Sequence, residues 1–319
     1  MTDPQTSGSS PDSAAQACLV YPFAASVLDP VDVAFVEREL AQAELAAPLL
    51  TAHPGLTRVA VIFLRHCSPP SPSREALAIV ARCLRIVLFF NDRVDPAGTA
   101  ENARVTWQHI IDPHHPPGPH GPARAAIELA AADLGQRLSQ ALAARGVDAT
   151  AFAHLFRMNL AAFVHDNHAA AAEPNMQADY LELRSETISA MAYLRLWGLL
   201  GGLETASEMQ VGFLLQQAER LSARVQALAN DLRSVERDAG AGQANVVLIE
   251  QRLRGVSREV AVASTRARHA ESLRALVAVL ATARSEATHA PGLARYLRFI
   301  EICTCGNNHA MDELSARYE

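Results

Sequence analysis

From residue 30 onward, apolar positions recur at intervals of three and four. No stretch alternates apolar and polar residues as a half-buried strand would. Ala, Leu, Arg, Glu and Gln dominate, and β-branched runs are short, which favours helix throughout. The pattern predicts helices over 31–47, stopped by Pro48, and over 55–66. After the break Pro69-Pro70-Ser71-Pro72-Ser73, with Ser73 as N-cap, it predicts a helix over 74–92. That helix is apolar almost all round (Ile79, Val80, Leu84, Ile86, Val87, Leu88, Phe89, Phe90), so it belongs at the centre of a large core. Further helices are predicted over 123–145, with Gly146 as C-cap, and over 151–172, ended by Pro174. Next comes 177–200, interrupted near Ile188-Ser189-Ala190, and then 211–238. One long helix or two fill 245 to 283, and a last helix covers 292–305. The fold class expected is all-α, with about ten to twelve helices and no internal repeat.

Composition narrows the function. The chain has 319 residues, half of them hydrophobic, which is ample for a large core. A single domain over 17–319 is expected, because no linker-like stretch divides the chain. Residues 1–16 are rich in Ser, Pro, Asp and Ala and read as a disordered tail, with neither the basic start nor the apolar core of a signal peptide. Net charge is −6, without a basic cluster, which argues against a nucleic-acid partner. Lysine is absent, so every fixed cation is Arg. No apolar run approaches the ~20 residues of a membrane helix. A soluble, cytoplasmic protein without a membrane partner is expected. Cys18, Cys67, Cys83, Cys303 and Cys305 are odd in number and scattered, and are expected to be free thiols. The proline-rich stretch 112–122 with His114, His115 and His120 reads as a solvated loop.

The chemistry concentrates in Asn230-Asp231-Leu232-Arg233-Ser234-Val235-Glu236-Arg237-Asp238. Asn230, Ser234 and Asp238 stand four apart on a helix and share one face, drifting about 40° per step. An amide carbonyl, a hydroxyl and a carboxylate are hard oxygen donors suited to Mg²⁺, and Arg237 sets a cation beside them. Taken singly, each residue is equally well a solvated polar helix end. A second cluster changes that balance. Asn91, Asp92 and Asp95 close the apolar helix, with Asp92 and Asp95 on one side. Carboxylates at a helix C-terminus oppose its dipole, and cations from solvent would offset the cost.

Together these motifs resemble those of the bacterial class I terpene synthases. That family carries D-D-x-x-D at the end of one helix and N-D-x-x-S-x-x-x-E on a facing one. Here the first stands as Asn91-Asp92-Arg93-Val94-Asp95 and the second as Asn230, Asp231, Ser234 and Asp238. The segment from Tyr180 through Arg184 to Thr187 is similar to the family's Y-x-x-x-R-x-x-T. Asn245-Val246-Val247 is similar to its N-x-V, and Gly306-Asn307 and Arg317-Tyr318 to its C-terminal G-N and R-Y. The resemblance spans most of the chain. It implies a helical barrel around a central apolar cavity and three Mg²⁺ ions clamped between the two motifs. It also implies a prenyl diphosphate gripped by Arg184, Arg237, Arg317 and Tyr318, with the break at Thr187 and Ile188 helping to trigger ionisation. Phe63, Phe89, Phe163, Tyr193 and Trp197 are candidates to line the cavity and steady a carbocation, with ordinary core packing as their other reading. The implied reaction is Mg²⁺-dependent cyclisation of a linear prenyl diphosphate. Farnesyl diphosphate is the default, with a modified or methylated one in view because Asn91 replaces the family's first aspartate. Asp238 is likewise one methylene shorter than the family's glutamate, and no glycine stands at the helix break. A prenyltransferase would need two aspartate-rich motifs, and the chain has no Asp-Asp pair. A non-catalytic binding protein on the same fold is the reading from another class. A homodimer is left open.

Overall fold

The computed structural model describes residues 19–46, 54–92, 108–110, 112, 122–147, 177–202, 209–286 and 290–314. Among them are ten α-helices and no strand. They are α1 (Pro30–Ala46), α2 (Pro54–Cys67), α3 (Arg74–Asp92), α4 (Pro122–Ala143) and α5 (Gln177–Thr187). Then follow α6 (Ala190–Gly201), α7 (Met209–Ala241), α8 (Val246–Arg254), α9 (Arg258–Glu286) and α10 (Pro291–Leu314). No helix among the described residues is long and apolar enough to cross a membrane. The predicted helix over 151–172 and the histidine loop lie outside the described residues.

Helix α7 is the axis of the bundle. Its 33 residues span about 50 Å. Nearly every side chain from Ser222 to Asp231 is buried, as expected of a helix covered on all sides. It packs against α9, α10, α5, α6 and α8. Buried polar contacts fix its rotation. Glu219 accepts from the Tyr296 hydroxyl of α10 at 2.7 Å and from Arg195 Nε of α6 at 2.9 Å. Ser222 and Thr304 share a hydroxyl hydrogen bond of 2.7 Å. Further along the helix, Arg233 Nη2 reaches Asp312 of α10 at 2.7 Å.

Two apolar clusters matter for the site. The main one joins α1, α2, α3, α4, α6, α7, α9 and α10 around Leu40, Leu77, Leu134, Trp197 and Phe299. A smaller one gathers Tyr180 and Leu181 of α5, Leu228 and Val235 of α7, Val246 and Val247 of α8 and Ala261 of α9. This second cluster holds three helices that carry polar motif residues against one another.

Two breaks explain where the chain turns. Between α5 and α6, Ser189 adopts φ 61° and ψ 9°. A non-glycine residue in the left-handed region is strained by about 1–2 kcal/mol. Between α8 and α9, Gly255 takes φ 61°, and so the stretch 245–283 forms two helices rather than one. The expected end of the last helix at residue 305 is corrected: α10 continues to Leu314. Gly306, one residue beyond that expected end, lies inside the helix where α10 crosses the end of α2. A Cβ there would meet the His66 carbonyl oxygen at 1.9 Å. The glycine is a packing requirement, not a terminator. Cys67, Cys83, Cys303 and Cys305 are free and buried, and burial pushes the Cys83 thiol up to about 12.

Candidate functional site

The ladder forms at the C-terminal end of α7. Ser234 donates its hydroxyl proton to Asp238 Oδ2 at 2.6 Å, so two of the three predicted rungs meet directly. Both are buried, and Asn230 one turn earlier is half-buried. Arg237 closes on the other carboxylate oxygen: its Nε and Nη2 donate to Asp238 Oδ1 at 3.0 and 2.9 Å. From Ala239 to Gln243 the chain is exposed, so the ladder ends next to solvent at this end of α7.

A tight turn then folds α8 back onto α7. Gln243 N–H donates to the Asp238 carbonyl at 2.9 Å, and Gly242 takes φ 66°. Asn245, wholly buried, caps α8 by accepting from Val247 N–H at 2.9 Å. Its Nδ2 points the other way, donating to Asp238 Oδ2 at 2.9 Å and to the Asp231 carbonyl at 2.8 Å. Asp231 Oδ2 accepts from Val246 N–H at 2.9 Å, at the positive end of α8. Asp231 Oδ1 accepts from Arg184 Nε at 3.0 Å, and Arg184 Nη1 also donates to Thr187 Oγ1 at 3.3 Å. Burial pushes the Asp231 carboxyl above the usual carboxylate range, while Arg184 and the Val246 N–H pull against that.

Arg184 and Thr187 on α5 and Asn230, Ser234, Arg237 and Asp238 on α7 therefore lie on two adjoining helices. Asp231 and Asn245 join them, although the motif spacing alone gives neither a role. The available signal was an Asn just after a glycine-rich turn, beside a buried carboxylate. Ile188 lies in the break between α5 and α6. Among the aromatic candidates, Trp197 is wholly buried and meets Tyr193 and Phe299 edge-on at ring-centroid distances of 6.3 Å. Tyr193 donates to the Cys67 carbonyl at 3.1 Å. Phe63 is half-buried between the main apolar cluster and a small one made of Val59, Ile62, Ala310 and Leu314 of α2 and α10. The side chains of Phe89, Asn91 and Asp92 lie outside the description, as do residues Asp95, Phe163, Arg317 and Tyr318.

Residues 82–275, more than half of the chain, match the family model for terpene synthase family 2, C-terminal metal binding. The chain belongs to that family. Among curated proteins, no sequence matches. Solved structures agree on the fold of this terpene synthase. A single-substitution variant of cucumene synthase superposes with a TM-score of 0.74 at 18% identity, covering 92% of this chain and 100% of its own. The 2-methylisoborneol synthase from Streptomyces coelicolor A3(2) gives 0.75 at 17%, covering 91% and 92%. The linalool/nerolidol synthase from Streptomyces clavuligerus, in complex with 2-fluorogeranyl diphosphate, gives 0.71 at 21%, covering 91% and 97%. The terpene synthase is thus an all-α enzyme of the class I type.

The donor set of the ladder fits a hard divalent cation. Amide, hydroxyl and carboxylate oxygens are the ligands Mg²⁺ takes, and a hydroxyl that has committed its one proton to Asp238 still has its lone pairs. The charge it supplies is small. Among the described residues no group of three or more His, Cys, Asp or Glu is placed to hold a metal. Asp231, a further carboxylate close enough to feel the charge of Asp238, is engaged by Arg184.

Proposed function

We propose that this terpene synthase ionises and cyclises a linear prenyl diphosphate, with farnesyl diphosphate as the default substrate, and releases inorganic diphosphate. The observation that carries this is the convergence of Ser234 and Asp238 at 2.6 Å beside Arg237, with Arg184 held nearby by Asp231. It pairs hard oxygen donors with guanidinium groups, the combination a metal-bound diphosphate needs.

Asn230, Ser234 and Asp238 would hold Mg²⁺ from α7, and the residues of the first motif, Asn91, Asp92 and Asp95, would hold it from the other side, with three ions in the complete site. When bound, the ions supply Lewis-acid polarisation of the leaving group. Arg184 and Arg237, joined by Arg317 and Tyr318, contribute charge-assisted hydrogen bonds to the departing diphosphate. The break at Thr187, Ile188 and Ser189, strained at Ser189, brings backbone toward the reacting end of the substrate. The hydrocarbon tail runs from the exposed end of α7, just beyond Asp238, inward along the buried part of the helix. Phe63, Phe89, Phe163, Tyr193 and Trp197 steady positive charge on it, each by about 0.5–2 kcal/mol, and exclude water. The linalool/nerolidol synthase structure contains a prenyl diphosphate analogue, which supports the ligand class. Asn91, neutral where the family has a carboxylate, goes with a modified or methylated substrate as the variant of this reading.

The test is incubation with Mg²⁺ and geranyl, farnesyl and geranylgeranyl diphosphates, followed by gas chromatography of a hexane extract and a diphosphate-release assay. A cyclic hydrocarbon or alcohol with stoichiometric diphosphate is expected. Neither product nor release from these substrates or a methylated analogue overturns the proposal.

A further inference from the structure

Asn245 performs two tasks with opposite ends of one amide. Its Oδ1 accepts from Val247 N–H at 2.9 Å and so caps α8. Its Nδ2 donates to Asp238 Oδ2 at 2.9 Å, to the Asp231 carbonyl at 2.8 Å, and lies 3.4 Å from Ser234 Oγ. A capping serine or threonine would satisfy the helix equally well. The capping requirement therefore does not explain why an amide stands here. What an amide adds is a donor, and the donor is spent on the carboxylate and the backbone of the ladder.

The carboxylate has two oxygens with different surroundings. Asp238 Oδ1 is taken by the guanidinium of Arg237, an exposed residue. Asp238 Oδ2 is held from inside the fold by Ser234 and by Asn245, which is wholly buried. A long exposed arginine can leave its partner at small cost. A buried amide on a helix cap cannot move without uncapping α8. Asn245 is thus the fixed element that sets the plane of the carboxylate, and Arg237 the exchangeable one.

We propose that Asn245 is a positioning residue for the metal face of α7: it orients Asp238 through its Nδ2 donor, separately from its structural duty as the α8 cap. This rests on the reading of the Asn230–Ser234–Asp238 face as the Mg²⁺ site. Groups that orient a metal ligand typically account for about 10–100-fold in metal affinity.

The experiment compares wild type with Asn245→Ser and Asn245→Thr, each of which keeps a capping oxygen and loses the amide donor. Mg²⁺ is titrated calorimetrically into the full chain in the presence of inorganic diphosphate, and thermal unfolding is followed beside it. The expected result is an unfolding midpoint within about 4 °C of wild type for at least one variant, with Mg²⁺ affinity weakened about 10–100-fold. Variants that fold and bind Mg²⁺ as wild type does overturn the proposal and leave Asn245 a helix cap. Loss of the fold in both variants also overturns it, because the two tasks would then not be separable. A wild-type chain that takes up no Mg²⁺ with diphosphate overturns the metal reading of α7 itself, an outcome recognisable because the failure is in the wild type.

Discussion

Arg184 donates its Nε proton to Asp231 Oδ1 at 3.0 Å, joining the helix that runs into the Ser189 break to the helix that carries the oxygen ladder. The carboxylate is buried, and its other oxygen is used by the Val246 N–H. Removing one partner leaves the other in a poorly solvated place. Asp231→Ala is expected to destabilise the fold by about 2–4 kcal/mol, measured by urea unfolding. A double-mutant cycle with Arg184→Ala should return a coupling energy of about 1–3 kcal/mol. Additivity within about 0.5 kcal/mol would contradict the pairing.

Gly306 and Gly240 both sit in helices, yet their surroundings predict opposite outcomes. A Cβ on Gly306 would collide with the His66 backbone carbonyl, whereas one on Gly240 would meet open space. Backbone cannot rotate aside as a side chain can. Gly306→Ala is expected to cost about 3 kcal/mol or more by forcing α2 and α10 apart. Gly240→Ala is expected to stabilise by up to about 1 kcal/mol through helix propensity. Thermal unfolding of the two variants decides it.

Much of this fold can be read in the sequence, and the exceptions have physical reasons. The 74–92 helix appears with its predicted bounds because a continuous apolar run has one stable use, and Pro72 and Ser73 mark its start. The ladder on α7 is legible because four-residue spacing of oxygen donors is a local property of a helix. Gly306 misleads because a glycine needed for helix crossing looks, in one dimension, like a glycine that ends a helix. Asn245 is legible only as part of the N-x-V resemblance; its cap and its contact with Asp238 are not, because both depend on the turn at Gly242 folding α8 back. The Arg184–Asp231 pair spans 47 residues and exists only through the packing of Tyr180, Leu181, Leu228 and Val246 between their helices.

His269 of α9 accepts or donates a hydrogen bond of 3.0 Å with the Tyr21 hydroxyl and is buried. Burial, aided by the charge of Arg233, lowers its pKa to about 4. In the unfolded chain the imidazole titrates near 6.5. Between these values the unfolded state binds a proton that the folded state refuses, so stability falls as pH drops from 6.5 towards 4. The loss should reach about 3 kcal/mol at the acid end. His269→Gln, which retains a partner for Tyr21, should flatten that part of the profile in urea unfolding measured from pH 4 to pH 7. An unchanged slope would assign the acid sensitivity to other groups.

The central claim is that the Asn230–Ser234–Asp238 face holds the metal that draws diphosphate from the substrate. It is tested most directly by measuring inorganic diphosphate release from farnesyl diphosphate and from a methylated analogue, for wild type with Mg²⁺, wild type with EDTA, and Asn230→Ala with Mg²⁺. Release is predicted for the first alone, lower by about 100-fold or more in the other two, with the helical circular dichroism of Asn230→Ala unchanged. Release by Asn230→Ala at the wild-type rate, or by wild type in EDTA, would contradict the account.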